Sequence, residues 1–245
     1  MNKGFTLVEL AIVMTIIGLL IGGVLKGQQL MTNARISSQI KQFQQIEAAA
    51  IGFRDAYAYL PGDIPNALQR VRNCNASNFC TNGDGNNIIG VITSSFNPTQ
   101  AGLTSLPQVE TSMFWKHLAL ADMIAGIVYS ANPATPLWGE THMASPLGGG
   151  LAIGFNSEYA TNPNTTEVGH FLLLSNVIGS SGAPYALSPS VASILDMKID
   201  DGKPNLGSVL AEHVGTSCKT GDGPLDTYNM TIDDPVCVIW YGINL

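Results

Sequence analysis

Gly4-Phe5-Thr6-Leu7-Val8-Glu9-Leu10 begins an apolar run that continues to Leu25, and Glu9 is its one charged residue. Roughly 20 such residues, rising about 1.5 Å each as a helix, cross the hydrocarbon core of a bilayer. Lys3 and Lys26 mark the two flanks. The apolar character runs all the way round the helix, whereas a core helix of a soluble domain carries a polar face. A cleaved secretory signal fits no better, because its apolar core is about 7–15 residues long and ends in an Ala-x-Ala-like exit. Glu9 is the anomaly. An ionised carboxylate in such a span costs roughly 3 kcal/mol or more unless paired, so a plain membrane anchor leaves it unexplained.

A short basic leader, then Gly4-Phe5-Thr6-Leu7-Val8-Glu9 inside an unbroken apolar span, resembles the processing site of type IV prepilins and of the pseudopilins of type II secretion systems. The resemblance covers about the first tenth of the chain. It implies cleavage after Gly4 by a prepilin peptidase on the cytoplasmic side, then methylation of the new amine of Phe5. It also implies that Glu9 faces the Phe5 amine of a neighbouring subunit as subunits stack into a filament. Elementary electrostatics agrees with that role: attraction strengthens as the dielectric falls, so a cationic partner from another chain relieves the burial penalty of Glu9. Glu9 is then a registration device, not a catalyst.

Lys3 ahead of the span places the start of the chain in the cytoplasm and the bulk of it outside, by the positive-inside rule. Lys26 snorkels to the outer interface. Gly18, Gly22, Gly23 and Gly27 allow two readings, close helix packing in the membrane or a weak place where the helix unwinds. Further on, Ile36, Ile40, Phe43, Ile46, Ala50, Phe53 and Tyr57 recur at steps of four and three and form one apolar stripe. Span and stripe together predict one helix from Phe5 to Tyr59, ended by Pro61-Gly62. The expected organisation is a leader at 1–4, a membrane and assembly helix at 5–27, its amphipathic continuation at 28–60, and an extracytoplasmic head at 61–245.

In the head, turn formers dominate 62–111, with a short strand at Ile88–Ile92. A helix is expected at Ser112–Ile124, with Gly126 as its stop. Strands are expected at Leu151–Phe155, His170–Leu174, Ser208–Val214 and Cys237–Tyr241. Ser188-Pro189 opens a helix running to Met197. The fold class is α+β: a long helix packed on an antiparallel sheet, the pilin-like arrangement.

The chain has 245 residues and a net charge of −7. That balance argues against a nucleic-acid partner. The four cysteines fall in two sequential pairs, Cys74 with Cys80 and Cys218 with Cys237. In an exported chain they read as two disulfides, although four cysteines allow three connectivities. Zinc is the weaker reading, since no Cys-x-x-Cys spacing occurs.

Phe53-Arg54-Asp55-Ala56-Tyr57 with Leu60-Pro61-Gly62-Asp63, and Asp200-Asp201-Gly202-Lys203-Pro204 with Gly207, resemble segments of minor-pilin-like and pseudopilin-like proteins. The large head points to a minor or accessory subunit. The implied partners are the prepilin peptidase, other pilin or pseudopilin subunits, the assembly platform and the bacterial inner membrane. The head would lie in the periplasm before the subunit joins a filament.

No catalytic motif stands out: there is no Gly-x-Ser-x-Gly elbow, His-Glu-x-x-His, phosphate-binding loop or dinucleotide fingerprint. His117, His142, His170 and His213 read as surface or satisfied structural groups, and Trp115, Trp138 and Trp240 as core. No cofactor is expected. Calcium is the one candidate considered, at Asp222, Asp226, Asp233 and Asp234, and their spacing matches no EF-hand loop. The rival function is a membrane-anchored extracytoplasmic binding module or enzyme that keeps its N-terminus.

Overall fold

The computed structural model describes residues 6–92, 109–156, 168–178, 185–212 and 217–245. One helix dominates it. α1 runs unbroken from Leu7 to Tyr57, 51 residues, which is about 77 Å at 1.5 Å per residue. Gly18, Gly22, Gly23 and Gly27 leave no break, and a Cβ at any of them would meet nothing within 4 Å. The helix stops at Ala58, which adopts the left-handed conformation (φ 62°) and donates its N–H to Arg54 O. That stop lies ahead of the expected Pro61-Gly62 signal.

The two halves of α1 live in different surroundings. An 18-residue window in the first half has a mean hydropathy of 2.5 and none of it is buried within the protein. In the second half Ile36, Gln39, Phe43, Ile46, Ala50 and Phe53 are buried against the head. The 4-3 stripe is therefore the seam between helix and head. Phe43 stacks on Tyr241 with ring centroids 4.6 Å apart. Glu47 accepts bonds from Tyr241 Oη and from the Asn244 N–H. Those contacts tie the last strand to the helix.

The remaining elements follow as α2 (Ala67–Arg70), a 3₁₀ turn at Ala76–Asn78, β1 (Val91–Ile92), α3 (Val109–Leu120), β2 (Gly150–Asn156), β3 (Gly169–Ser175), α4 (Pro189–Ile199), β4 (Val209–Glu212) and β5 (Val238–Ile243). The sheet order is β1-β2-β3-β5-β4. The four strands β2 to β5 pair antiparallel, while the two-residue β1 adds to the edge in parallel with β2.

Strand periodicity divides the side chains between two layers. Leu151, Ile153, Leu172, Leu174, Val209, Ala211 and Ile239 face the core shared with α1, α3 and α4. Ala152, Phe171, Leu173, Leu210, Val238 and Trp240 face the other way, covered by Trp138 and Tyr185.

Two expected boundaries move. α3 begins at Val109 and ends at Leu120, because Ala121 and Asp122 close the turn and Asp122 takes a positive φ of 56°. Gly126, also left-handed, sits in the loop beyond. Ser188 occupies the N-cap of α4 in extended conformation with Pro189 behind it, yet its hydroxyl meets Ser190 Oγ and caps no backbone N–H. The expected strand to Val214 is seen to Glu212, and Val214 lies outside the described residues.

Candidate functional site

Thr6 and Glu9 form a capping box at the start of α1. Thr6 Oγ1 accepts from the Glu9 N–H at 3.2 Å. Glu9 Oε2 in turn accepts from the Thr6 N–H and from Thr6 Oγ1, each at 2.9 Å. The first N–H groups of any helix have no intrahelical partner, and a Thr-x-x-Glu pair satisfies two of them reciprocally. Glu9 therefore has partners within its own chain. The signal was present in the sequence as Thr6-Leu7-Val8-Glu9. Both bonds to the carboxylate use Oε2, and Oε1 has no partner among the described residues. Gly4 and Phe5 lie outside the described residues.

Behind the box the helix presents apolar side chains on every side. Leu7 is 87% exposed and Leu19 73%. Such a surface is far larger than the apolar patches a soluble monomer leaves uncovered. Bilayer or neighbouring helices must cover it.

The sulfurs of Cys74 and Cys80 are bonded, as are those of Cys218 and Cys237, and no described cysteine is free. The first bridge closes a small loop around the 3₁₀ turn; the second fastens the C-terminal loop to the start of β5. His117 lies beside the first bridge. Its Nδ1 accepts from the Gly62 N–H at 2.9 Å and its Nε2 meets Thr81 O at 3.1 Å. With Nδ1 accepting, Nε2 carries the proton and donates. Burial holds this imidazole neutral, with its pKa lowered to about 4. Next to it, Lys116 is buried and its ammonium donates to the carbonyls of Asn78, Tyr129 and Ala131. Burial lowers its pKa to about 8.

The other described histidines are also spent on structure. His142 Nδ1 meets Thr141 Oγ1, and His170 Nε2 accepts from the Ile89 N–H. Burial lowers both pKa values, to about 3 and about 4. His213 lies outside the described residues. Trp115 and Trp240 are core side chains, and Trp138 donates to Asn176 O at the edge of the second layer.

Sequence reading did not find the acidic group at the helix exit. Carboxylate oxygens of Asp63, Asp84 and Glu110 lie within 4.8 Å of one another. Asp63 and Glu110 are fully buried. Asp63 accepts the N–H groups of Gly85, Asn86 and Asn87, while Glu110 accepts those of Asp84 and Gly90. Burial raises Asp63 to about 6 and Glu110 to about 7. Hard oxygen donors suit a divalent cation by their chemistry; here they organise the 83–90 loop around the end of α1. The packing is tight enough to require glycine twice. A Cβ at Gly83 would lie 2.4 Å from Gly62 O, and one at Gly62 (φ 92°) would lie 2.5 Å from Glu110 O.

Asp222, Asp226, Asp233 and Asp234 do not gather into one group among the described residues. Asp222 pairs with Lys219 at 3.0 Å. Asp226 accepts from the Gly223 N–H and Thr220 Oγ1.

Comparison with known proteins adds one match. Residues 1–25 fit the family model described as the prokaryotic N-terminal methylation motif, so this chain carries the prepilin-type signal. Taken with its long apolar helix and α+β head, that signal sits on a pilin-like arrangement. No curated protein and no solved structure matches the chain.

Proposed function

We propose that this chain is a structural subunit of a type IV pilus or a type II secretion pseudopilus. It is cleaved after Gly4 by a prepilin peptidase, N-methylated at Phe5, and assembled through α1 with other subunits of its kind on the assembly platform. Before assembly it sits in the bacterial inner membrane, single-pass, with its start in the cytoplasm and its head in the periplasm. The observation that carries this reading is the first half of α1, apolar on every side, uncovered and opened by the Thr6–Glu9 box. The methylation motif over the same residues supports it.

The subunit acts without catalysis and without a cofactor. The fixed hydrogen bonds and depressed pKa values of the three described histidines support that, since none is poised as a base near neutral pH. The test is shearing of intact cells of the native host, with blotting of the sheared and membrane fractions. The subunit in sheared or extracted filaments supports the proposal; single subunits alone, confined to the membrane, contradict it.

A further inference from the structure

Asp196, in the third turn of α4, is completely buried. Tyr228 Oη donates to its Oδ2 at 2.8 Å, and the Gly202 N–H donates to its Oδ1 at 3.2 Å. These contacts join three segments: α4, the turn that follows it, and the C-terminal loop closed by Cys218 and Cys237. No basic side chain among the described residues pairs with this carboxylate. Asp200 and Asp201, on the turn, act on it with charge of its own sign. α4 also packs on α1 and β4, and neither contributes a charged group that acts on Asp196 among the described residues.

The phenol and the amide donate to the carboxylate and favour its ionised form, but burial with no cation and two like charges nearby outweighs them and favours the protonated form. The contact with Tyr228 survives protonation, because a hydroxyl can accept as well as donate. Ionisation has a different effect. It sends a proton to solvent and leaves a charge in the interior, facing two further carboxylates on the turn. Gly202 is left-handed (φ 74°); the Asp200 side chain accepts from Ser208, the Asp200 N–H donates to Asp196 O, and the Ala211 N–H donates to Pro204 O.

We propose that Asp196 is a proton-controlled latch for the C-terminal loop. Protonated, it holds that loop and the Asp200–Pro204 turn against α4; ionised, it releases them. The raised pKa of Asp196, about 7 with burial as the main cause, puts the change near neutral pH. The sign follows from linkage. The closed state binds the proton more tightly than the open one, so closure is strongest in acid and weakens as pH rises through about 7. This inference stands on the head alone and does not depend on the filament reading.

The test is amide hydrogen exchange on the full chain in detergent micelles between pH 5 and pH 9, corrected for the intrinsic pH dependence of exchange. In the wild type, protection of 200–204 and 226–230 should fall by up to about tenfold per pH unit from pH 5 to about pH 7 and level off above it, with 36–53 of α1 as the steady reference. Asp196→Asn keeps the neutral form and should lose that fall. A parallel fall in Asp196→Asn, or none in the wild type, overturns the latch. Should Asp196→Asn fail to fold, Tyr228→Phe serves. It removes the phenol, so 226–230 should exchange at pH 5 as fast as the wild type does at pH 9, and unchanged protection there overturns the proposal.

Discussion

Thr6 and Glu9 lie three residues apart at the mouth of the apolar span, and their reciprocal bonds give the carboxylate a resting place before any neighbour arrives. An unpaired carboxylate would resist an apolar medium; one already bonded to a backbone N–H and a hydroxyl resists it less. Glu9→Ala should therefore leave cleavage after Gly4 largely intact and strongly reduce incorporation into filaments. Quantifying cleaved subunit in membrane and sheared fractions checks this, and wild-type incorporation would remove the assembly role. Thr6→Val should be milder, since it deletes one hydroxyl worth about 1 kcal/mol as a cap, and Thr6→Ser should restore the wild-type level. Replacing Gly4 by a bulky residue should block cleavage, read as an unshifted mass. At this scale Glu9 stood out in the sequence because a single charge interrupts an apolar run. Thr6 is equally legible, as the first residue of the Thr-x-x-Glu pattern of a capping box.

Among the elements, α1 was the most legible, its two halves marked by continuous apolarity and then a 4-3 stripe. Its end lies at Tyr57, ahead of the expected Tyr59. Ala58 takes a left-handed turn that its sequence does not advertise, since alanine disfavours positive φ and Pro61-Gly62 looks like the stronger stop. Ala58→Gly should relieve that strain and raise the unfolding free energy by about 0.5–1 kcal/mol. Chemical denaturation of the full chain in micelles checks it, and a loss of stability would contradict the cap. The strand cores in β2, β3 and β5 were legible from their β-branched, aromatic and leucine-rich runs. The short strand expected at Ile88–Ile92 is seen as β1, reduced to Val91–Ile92, and its parallel pairing with β2 was not legible. α2 was not legible, because four residues make barely one helical turn and carry no stripe.

For the whole molecule, the buried polar groups were the least legible part of the sequence. Asp63 and Glu110 are far apart along the chain and meet only because the 83–90 loop wraps the helix exit. Their folded pKa values, about 6 and about 7, lie above ordinary carboxylate values. A raised folded pKa contributes stability that is complete in acid and is lost as pH rises to about 7. The neutral histidines work in the opposite direction. Their folded values of about 3 to 4 lie below 6.5, so stability is lost as pH falls below about 6.5. The two trends offset each other between about pH 4.5 and 6.5, and a flat stability profile is expected there. Glu110→Gln should tilt that profile, so that melting temperature rises with pH across the window relative to wild type. A variant profile parallel to wild type would contradict the assignment. The disulfide pattern was half-legible: the sequence offered two adjacent pairs, and the fold brings those same pairs together.

The function proposed for the chain rests on processing of its start for assembly. The most direct test is the intact mass and N-terminal sequence of the protein recovered from the membrane fraction of its native host. The account expects a chain that begins at N-methylated Phe5. A chain that still begins at Met1, in a host with an active prepilin peptidase, would contradict it and favour an anchored module that keeps its leader.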